Sequence, residues 1–407
     1  MKYFTSTRFA SSRHLVFAIC VLCALCGYSP AQDFKTVHPG VEYAKVGSKI
    51  GSDPVKINLL RLDLKKVRLD VHHALDKAIG LETTSSIAKR KGAIAAINAG
   101  FFRLDKSEFA GDAAGVLMID GRILSESVND RAVIGIKNNG VGGHTEVVFG
   151  HLNAKALAGF GVDSTFTFDG INRERKANEM ILFTPEFSTT TLTDANGVEI
   201  ILTHCERSPF RWCKNANVVE RTGNSTIPKD GFVVSIASGA LERSNGILIF
   251  AKGNEAGDGS IFNILRVGAA RKPLDASQTE FFSTAEDITN GVPQLIKNGK
   301  IDITWEQEKA SKSFAETRHP RTAVAKLKDG KFLMMTVDGR QPGVSVGMTL
   351  QELAGYLLSL GAVDAMNLDG GGSTTMYLDG KVVNTPSDKD GERKIGDAIL
   401  VTLRKKR

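Results

Sequence analysis

The sequence predicts an α+β fold: a sheet-rich single domain with many hairpins and a few short helices packed on the sheets. Three observations carry this. Asp120-Gly121, Asn196-Gly197, Asn298-Gly299, Asp329-Gly330 and Asp379-Gly380 each sit between alternating apolar and polar runs, and such dipeptides supply the backbone that tight hairpins need. Long amphipathic helix patterns are few, and strands do not alternate with long helices as a doubly wound sheet would require. With 407 residues, 42% of them apolar and 24% charged, the chain has enough apolar material for a sizeable core, which excludes a disordered protein.

The elements follow in order. Lys2, Arg8 and Arg13 precede the apolar run from Leu15 to Leu25, and Ser29-Pro30-Ala31 supplies small residues for cleavage, which is the pattern of a secretory signal peptide over residues 1–31. The apolar run is shorter than the ~20 residues a spanning helix needs, so no membrane span is expected in the mature chain. A lipoprotein signal fits less well, because the bulky Leu25 precedes Cys26. From Asp33 to Val71 the sequence alternates as half-buried strands do. Thr83 or Thr84 then caps a short helix through Lys91, Gly92 stops it, and Ala93 to Ile97 forms a buried strand leading to Asn98.

That arrangement recurs. Thr349 and Glu352 form a capping box for an apolar stripe of Leu350, Leu353, Ala354, Leu357 and Leu358. Gly361 stops the helix, and Ala362 to Met366 forms a short strand ending at Asn367. Matched in this way, Asn98 and Asn367 suggest an internal duplication whose two strands face one site. The stretch from about residue 184 to 272 reads as an elaboration on the core. It holds Cys205 and Cys213, the two cysteines outside the signal segment, and in an exported chain these favour a local disulfide over a zinc site.

The chemistry concentrates near the C-terminus. After Asn367 come Asp369, Gly370, Gly371, Gly372, Ser373 and Thr374, and three glycines together admit a ligand or another piece of backbone close to the main chain. The motif lacks the lysine and spacing of a nucleotide phosphate loop, yet a glycine nest with Arg321 and Arg340 suits an anion. If Asp329-Gly330 is a two-residue turn, Arg321 falls opposite Asp338 on one face of a hairpin. The two then form either a structural ion pair or part of a site. His319 is a further polar candidate in the adjoining loop, although a lone loop histidine is more often merely polar.

Other classes lose support. HExxH, GxSxG and zinc-ligand sets are absent, and scattered basic residues without an aromatic platform argue against nucleic acid. The formal charge of +7 is partly N-terminal. GNEAGDGS, residues 253–260, has the composition of a calcium loop without its pattern.

Taken jointly, INAGFF (97–102), NGVPQLIKNGK (290–300), HPRTAVA (319–325), VDGRQPGVSVGMTLQELA (337–354) and NLDGGGSTTM (367–376) resemble the phosphodiester glycosidase family. Family members carry a more glycine-rich stretch ahead of the proline where this chain has Asn290-Gly291-Val292-Pro293.

The resemblance implies a hydrolase acting on a glycan or sugar-phosphodiester substrate at the anomeric C–O bond, and the N-terminal signal pattern implies export, secreted or periplasmic after cleavage near Ala31. Asp369 and Asp338 would be catalytic. Asn98, Arg321, Arg340, Asn367, Gly370, Gly371, Gly372, Ser373 and Thr374 would bind substrate. No metal or cofactor is implied, with a bound calcium left open, and oligomeric state is not readable. A phosphodiesterase cleaving P–O and an exported module that binds phosphorylated glycans are the alternatives. Under the glycosidase reading Asn98, Arg321, Asp338 and Asp369 should line one cleft.

Overall fold

The computed structural model describes residues 32–404, apart from 139–142, 155–156, 161–163, 206–210, 221–222, 245–246, 249–250, 252–261 and 265–275. The expected signal peptide and the whole of GNEAGDGS therefore lie outside the described residues. From Phe34 onward the chain forms one compact unit. It is the α+β, sheet-rich fold that the hairpin signals indicate, with short helices.

The elements that build the site are, in chain order, α1 (Thr84–Arg90), β1 (Ala95–Asn98), β2 (Ala132–Lys137), β3 (Asp287–Asn290), α2 (Lys312–Glu316), β4 (Arg321–Leu327), β5 (Phe332–Val337), α3 (Leu350–Ser359), β6 (Ala362–Asn367), β7 (Met376–Leu378) and β8 (Asp397–Leu403). One eight-stranded sheet has β5, β4 and β6 side by side at its centre, with Asp53–Leu62 beyond β5 and Gln294–Lys297 beyond β6. A five-stranded sheet contains β7, β1 and β8 in adjacent positions, and a second one pairs β2 with β3.

Alternation along the strands decides the layering. Val324, Phe332, Met334 and Met366 point from the large sheet into a core shared with Ile97, Ile134, Met376 and Val401 of the smaller sheets. The opposite face, with Ala323, Ala325, Met335, Val337 and Ala365, is covered by Leu350, Leu353, Ala354 and Leu357 of α3. On the far side α1 lays Ile87 and Ala88 over Ala96, Tyr377, Ala398 and Leu400. Helix, sheet, sheet and helix follow one another through the molecule.

Both helix starts follow their sequence signals. The Thr83 hydroxyl accepts from Ser86 N at 3.2 Å, and Thr349 with Glu352 closes both halves of a capping box. Gly92 and Gly361 stop the helices at φ +66° and +86°, conformations that side chains beyond glycine adopt at a cost. The matched strands β1 and β6 lie in different sheets, and each ends in a fully buried asparagine.

The register of the β4–β5 hairpin differs from the sequence expectation. Arg321 pairs with Val337 and Lys326 with Phe332, while Leu327 N donates to Lys331 O across a three-residue loop. Gly330 takes φ +81° there, the left-handed residue of a three-residue hairpin loop. A one-residue slip exchanges faces. Arg321 consequently points toward α3, whereas Asp338 points between the sheets with Thr336 and Thr322.

A separate eight-stranded sheet takes in strands from Leu157–Phe160 to Phe262–Ile264. Its central ladder pairs Cys205 with Cys213, and the two form a disulfide. Among the described residues no helix is long and apolar enough to cross a membrane.

Candidate active site

The site is built around the exit of β6. Leu368 N donates to Thr322 O at 2.8 Å and Asp369 N to Ala99 O at 2.9 Å, so the chain crosses from the large sheet to the segment after β1 within two residues. Asn98 locks this crossing. Its Nδ2 donates to Asp369 O at 2.6 Å, while its Oδ1 accepts from Thr322 Oγ1 at 2.8 Å and from Thr375 N at 3.0 Å. Asn367 does a parallel task, its Nδ2 donating to Val292 O at 2.6 Å and Leu368 O at 2.7 Å.

The three glycines admit other parts of the chain. A Cβ on Gly370 would sit 2.7 Å from Pro320 O, one on Gly371 would sit 3.0 Å from Arg340 Nη2, and one on Gly372 would sit 2.2 Å from both Arg393 Nη2 and Asp388 Oδ1. Two of the amides are also spent, because Gly370 N donates to Asp369 Oδ1 and Gly371 N to Pro320 O, each at 2.9 Å. The loop is thus less an open nest of N–H groups than a surface on which guanidinium groups rest.

Asp369 is partly accessible at the base of this arrangement. Its surroundings desolvate the carboxylate and push its pKa up to about 6, with Asp397 adding repulsion. The Gly370 N–H, the Ser373 hydroxyl beside it and the charge of Arg393 act in the opposite direction.

Arginines surround the loop. Arg340 is exposed and adopts φ +59°, a left-handed conformation uncommon for a side chain of this size, and its guanidinium lies against Gly371. Arg321 is buried, and it donates from Nε to Met348 O at 2.9 Å and from Nη2 to Phe314 O at 2.7 Å and Thr317 O at 3.0 Å. Burial, then the nearby Arg340, bring its pKa down to about 10, so it stays charged at neutral pH. The same two arginines, after burial, hold the His319 imidazole below its usual range. Among the described residues neither Arg321 nor Arg340 has a carboxylate within salt-bridge distance.

Asp338 sits behind the loop. Its Oδ1 accepts from Thr385 N at 3.0 Å and Asn384 Nδ2 at 3.2 Å, and Asn384 in turn binds Thr374 O and Met376 N. Its Oδ2 has no hydrogen-bond partner, and burial raises its pKa.

The expectation that Asn98, Arg321, Asp338 and Asp369 line one cleft therefore needs correction. Asn98, Asp338 and Asp369 are linked through Thr374–Met376 and Asn384, whereas Arg321 donates to the Met348, Phe314 and Thr317 carbonyls, and Asn98, Arg321 and Asp338 are at most 1% exposed. The physical reason is the hairpin slip together with the saturation of Asn98. Asn367, Gly372, Ser373 and Thr374 are also buried, whereas Asp369, Gly370, Gly371 and Arg340 reach solvent.

Four groups at the site escape the sequence reading. Arg131 stacks over Phe101 at 5.5 Å, and its charge interacts with Glu308 and Asp369. Arg393 holds Asp388 through Nε at 2.7 Å and Nη2 at 3.0 Å. Asp397 accepts from Gly100 N at 2.8 Å and Thr289 Oγ1 at 2.6 Å, and Asn384 joins Asp338 to the glycine loop. Each comes from a run whose local pattern carries no motif. Among the described residues no group of three or more His, Cys, Asp or Glu is placed to hold a metal ion.

Comparison with known proteins finds sequence similarity over part of the chain. Residues 214–402 fit the profile of the phosphodiester glycosidase family. The bovine N-acetylglucosamine-1-phosphodiester alpha-N-acetylglucosaminidase is 36% identical over 110 residues, which is 25% of this chain and 20% of the bovine protein. An uncharacterized Rickettsia conorii protein is 23% identical over 258 residues, covering 62% of this chain and 77% of its own.

The fold recurs in a hypothetical protein from Synechocystis, with TM-score 0.69 at 20% identity over 93% of this chain and 64% of that one. It recurs also in a Burkholderia pseudomallei protein whose name describes it as exported, with TM-score 0.68 at 22% identity over 86% and 74% of the two chains. The match to the bovine relative thus spans about a fifth of that protein's length. Arg321, Asp338, Arg340, Asp369 and Arg393 all fall inside residues 214–402, the part of the chain that is similar to the phosphodiester glycosidase family.

Proposed function

We propose that this protein is an exported hydrolase that cleaves the glycosidic C–O bond of a sugar 1-phosphodiester, with an N-acetylglucosamine 1-phosphodiester or a cell-envelope glycan phosphodiester as substrate. The observation that carries the reading is the pairing of a partly accessible, desolvated Asp369 with Arg340 on the adjoining glycine surface.

The chemistry needs both groups. A phosphodiester leaves readily once its charge is stabilised, and Arg340 on the loop surface, with the buried Arg321 behind it, supplies that stabilisation. Asp369 takes the proton of the attacking water as the water oxygen bonds to C1. The C1–O bond breaks, its electron pair goes to the phosphate oxygen, and the products are a free sugar and a phosphate monoester. Gly370 and Gly371 offer backbone that the substrate can approach. Asp338, Asn98, Asn367, Ser373 and Thr374 brace the loop and set the environment of Asp369.

Export is supported by the Cys205–Cys213 disulfide, by the signal-like N-terminus and by the name of the Burkholderia relative. The test is release of free sugar from a panel of glycosyl 1-phosphodiesters. Asp369→Asn should lose turnover while still binding substrate in calorimetry. Absence of turnover across the panel by the unaltered protein would overturn the proposal.

A further inference from the structure

The wall formed by β2, β3 and the segment after β1 carries a cation that the reaction above does not use. Arg131 immediately precedes β2, and its Nη1 donates to Ala114 O. Its Nε is buried with no partner, and among the described residues Nη2 has none either, although it is not sealed from solvent. The nearby carboxylates do not claim it. Glu308 already has four other partners, Ala132 N at 3.0 Å, Gln294 N at 2.9 Å, Thr304 Oγ1 at 2.5 Å and His151 Nε2 at 3.1 Å. Asp369 accepts from its own loop.

Three further observations place this cation in the site and away from Arg340. Arg131 lies over Phe101, Phe101 meets Phe314 edge-on at 6.0 Å, and Phe314 lies 4.9 Å from the Arg321 guanidinium. Two half-buried phenyl rings thus stand between the two arginines in the stack. Arg321 feels the charge of Arg340, whereas Arg131 responds to Glu308 and Asp369. Beside it in the ladder, where Asn290 pairs with Val133, the Asn290 amide is enclosed with neither end hydrogen-bonded. That wall has unspent polar capacity and an aromatic face.

We propose that Arg131 and Phe101 form a second anion-binding subsite beside Asp369, so that the substrate is a sugar phosphodiester bearing a further anionic group, a carboxylate or a second phosphate, recognised separately from the phosphodiester. A guanidinium whose Nη2 is uncommitted, lying above a phenyl ring, can donate to a planar or tetrahedral oxyanion. This subsite rests on the glycosidase reading, because Asp369 and Arg340 define the first anion position.

The test compares two probes differing only in the alcohol: N-acetylglucosamine 1-phosphate esterified to ethanol, and the same sugar phosphate esterified to glycolic acid. A third probe, esterified to 2-phosphoethanol, separates carboxylate from phosphate. The unaltered protein should favour a charged alcohol, and Arg131→Gln should lower the charged-to-neutral ratio of kcat/KM at least tenfold, with Arg131→Lys partly restoring it.

The same ratio measured as affinity, by calorimetry in an Asp369→Asn background, gives a readout that needs no turnover. Equal ratios with and without the Arg131→Gln substitution, by kinetics or by calorimetry, would overturn the second subsite while leaving the glycosidase proposal standing. Binding that follows the predicted ratio without hydrolysis by the unaltered protein would keep the subsite and defeat the glycosidase proposal.

Discussion

Replacing Asn98 by alanine separates a bracing role from a substrate-binding one. The side chain is fully buried and makes three hydrogen bonds, to Asp369 O, Thr322 Oγ1 and Thr375 N, at 2.6, 2.8 and 3.0 Å. Each contributes about 1 kcal/mol net, and the substitution leaves a buried carbonyl, hydroxyl and amide without partners, so the expected loss is about 3–5 kcal/mol. Urea unfolding with the disulfide intact measures it, as a lower midpoint at unchanged slope. Asn98→Asp keeps the acceptor and loses the donor to Asp369 O, and it should fall between alanine and the parent only at acidic pH, where the new carboxyl is neutral. A loss below about 1 kcal/mol for alanine, together with a raised KM on a sugar phosphodiester, would refute the bracing argument and return Asn98 to the substrate.

The other predictions are more local. Arg340→Ala should lower kcat/KM on a sugar phosphodiester by about 10²–10³-fold. Arg340→Gly should lose as much activity while gaining stability in the same urea assay, because glycine accepts φ +59° without strain. The pH profile of kcat/KM should rise with an acidic limb near pH 6, the pKa of Asp369, and the limb should vanish in Asp369→Asn. The linked stability runs the other way. A carboxyl whose folded pKa lies above its unfolded value favours the fold when protonated, so that contribution is lost as pH rises through about 6, and urea midpoints of Asp369→Asn should not show the loss. Replacing Cys205 and Cys213 by serine opens a cross-link between positions 8 apart in sequence. From chain entropy the cost is about 2.5 kcal/mol. Thermal unfolding should record the drop while kcat/KM stays within about twofold, since the site lies in other sheets.

What was legible in the sequence was what is encoded locally. The capping box at Thr349 and Glu352, the glycine stops at Gly92 and Gly361, and the asparagines at the strand exits all depend on neighbours within a few residues. The hairpin at Asp329-Gly330 shows where this ends. Asp-Gly serves a two-residue turn and also a three-residue loop with glycine in the left-handed position, and choosing between them decides whether Arg321 and Asp338 share a face. Long-range packing made the choice.

The glycine run announced itself, but its use did not. Gly371 and Gly372 make room for Arg340 and for the Arg393–Asp388 pair, partners that no local pattern ties to it. Arg131 was invisible for the same reason: it follows the turn at Asn129 and Asp130, and only the fold sets it near Asp369.

The central claim is that the bond broken is the anomeric C–O bond. Hydrolysis of an N-acetylglucosamine 1-phosphodiester in ¹⁸O-labelled water, with products resolved by mass spectrometry, tests it directly. The account predicts the label in the C1 hydroxyl of the released sugar and none in the phosphate monoester. Label in the phosphate would mean attack at phosphorus, and would contradict the roles given to Asp369 and Arg340.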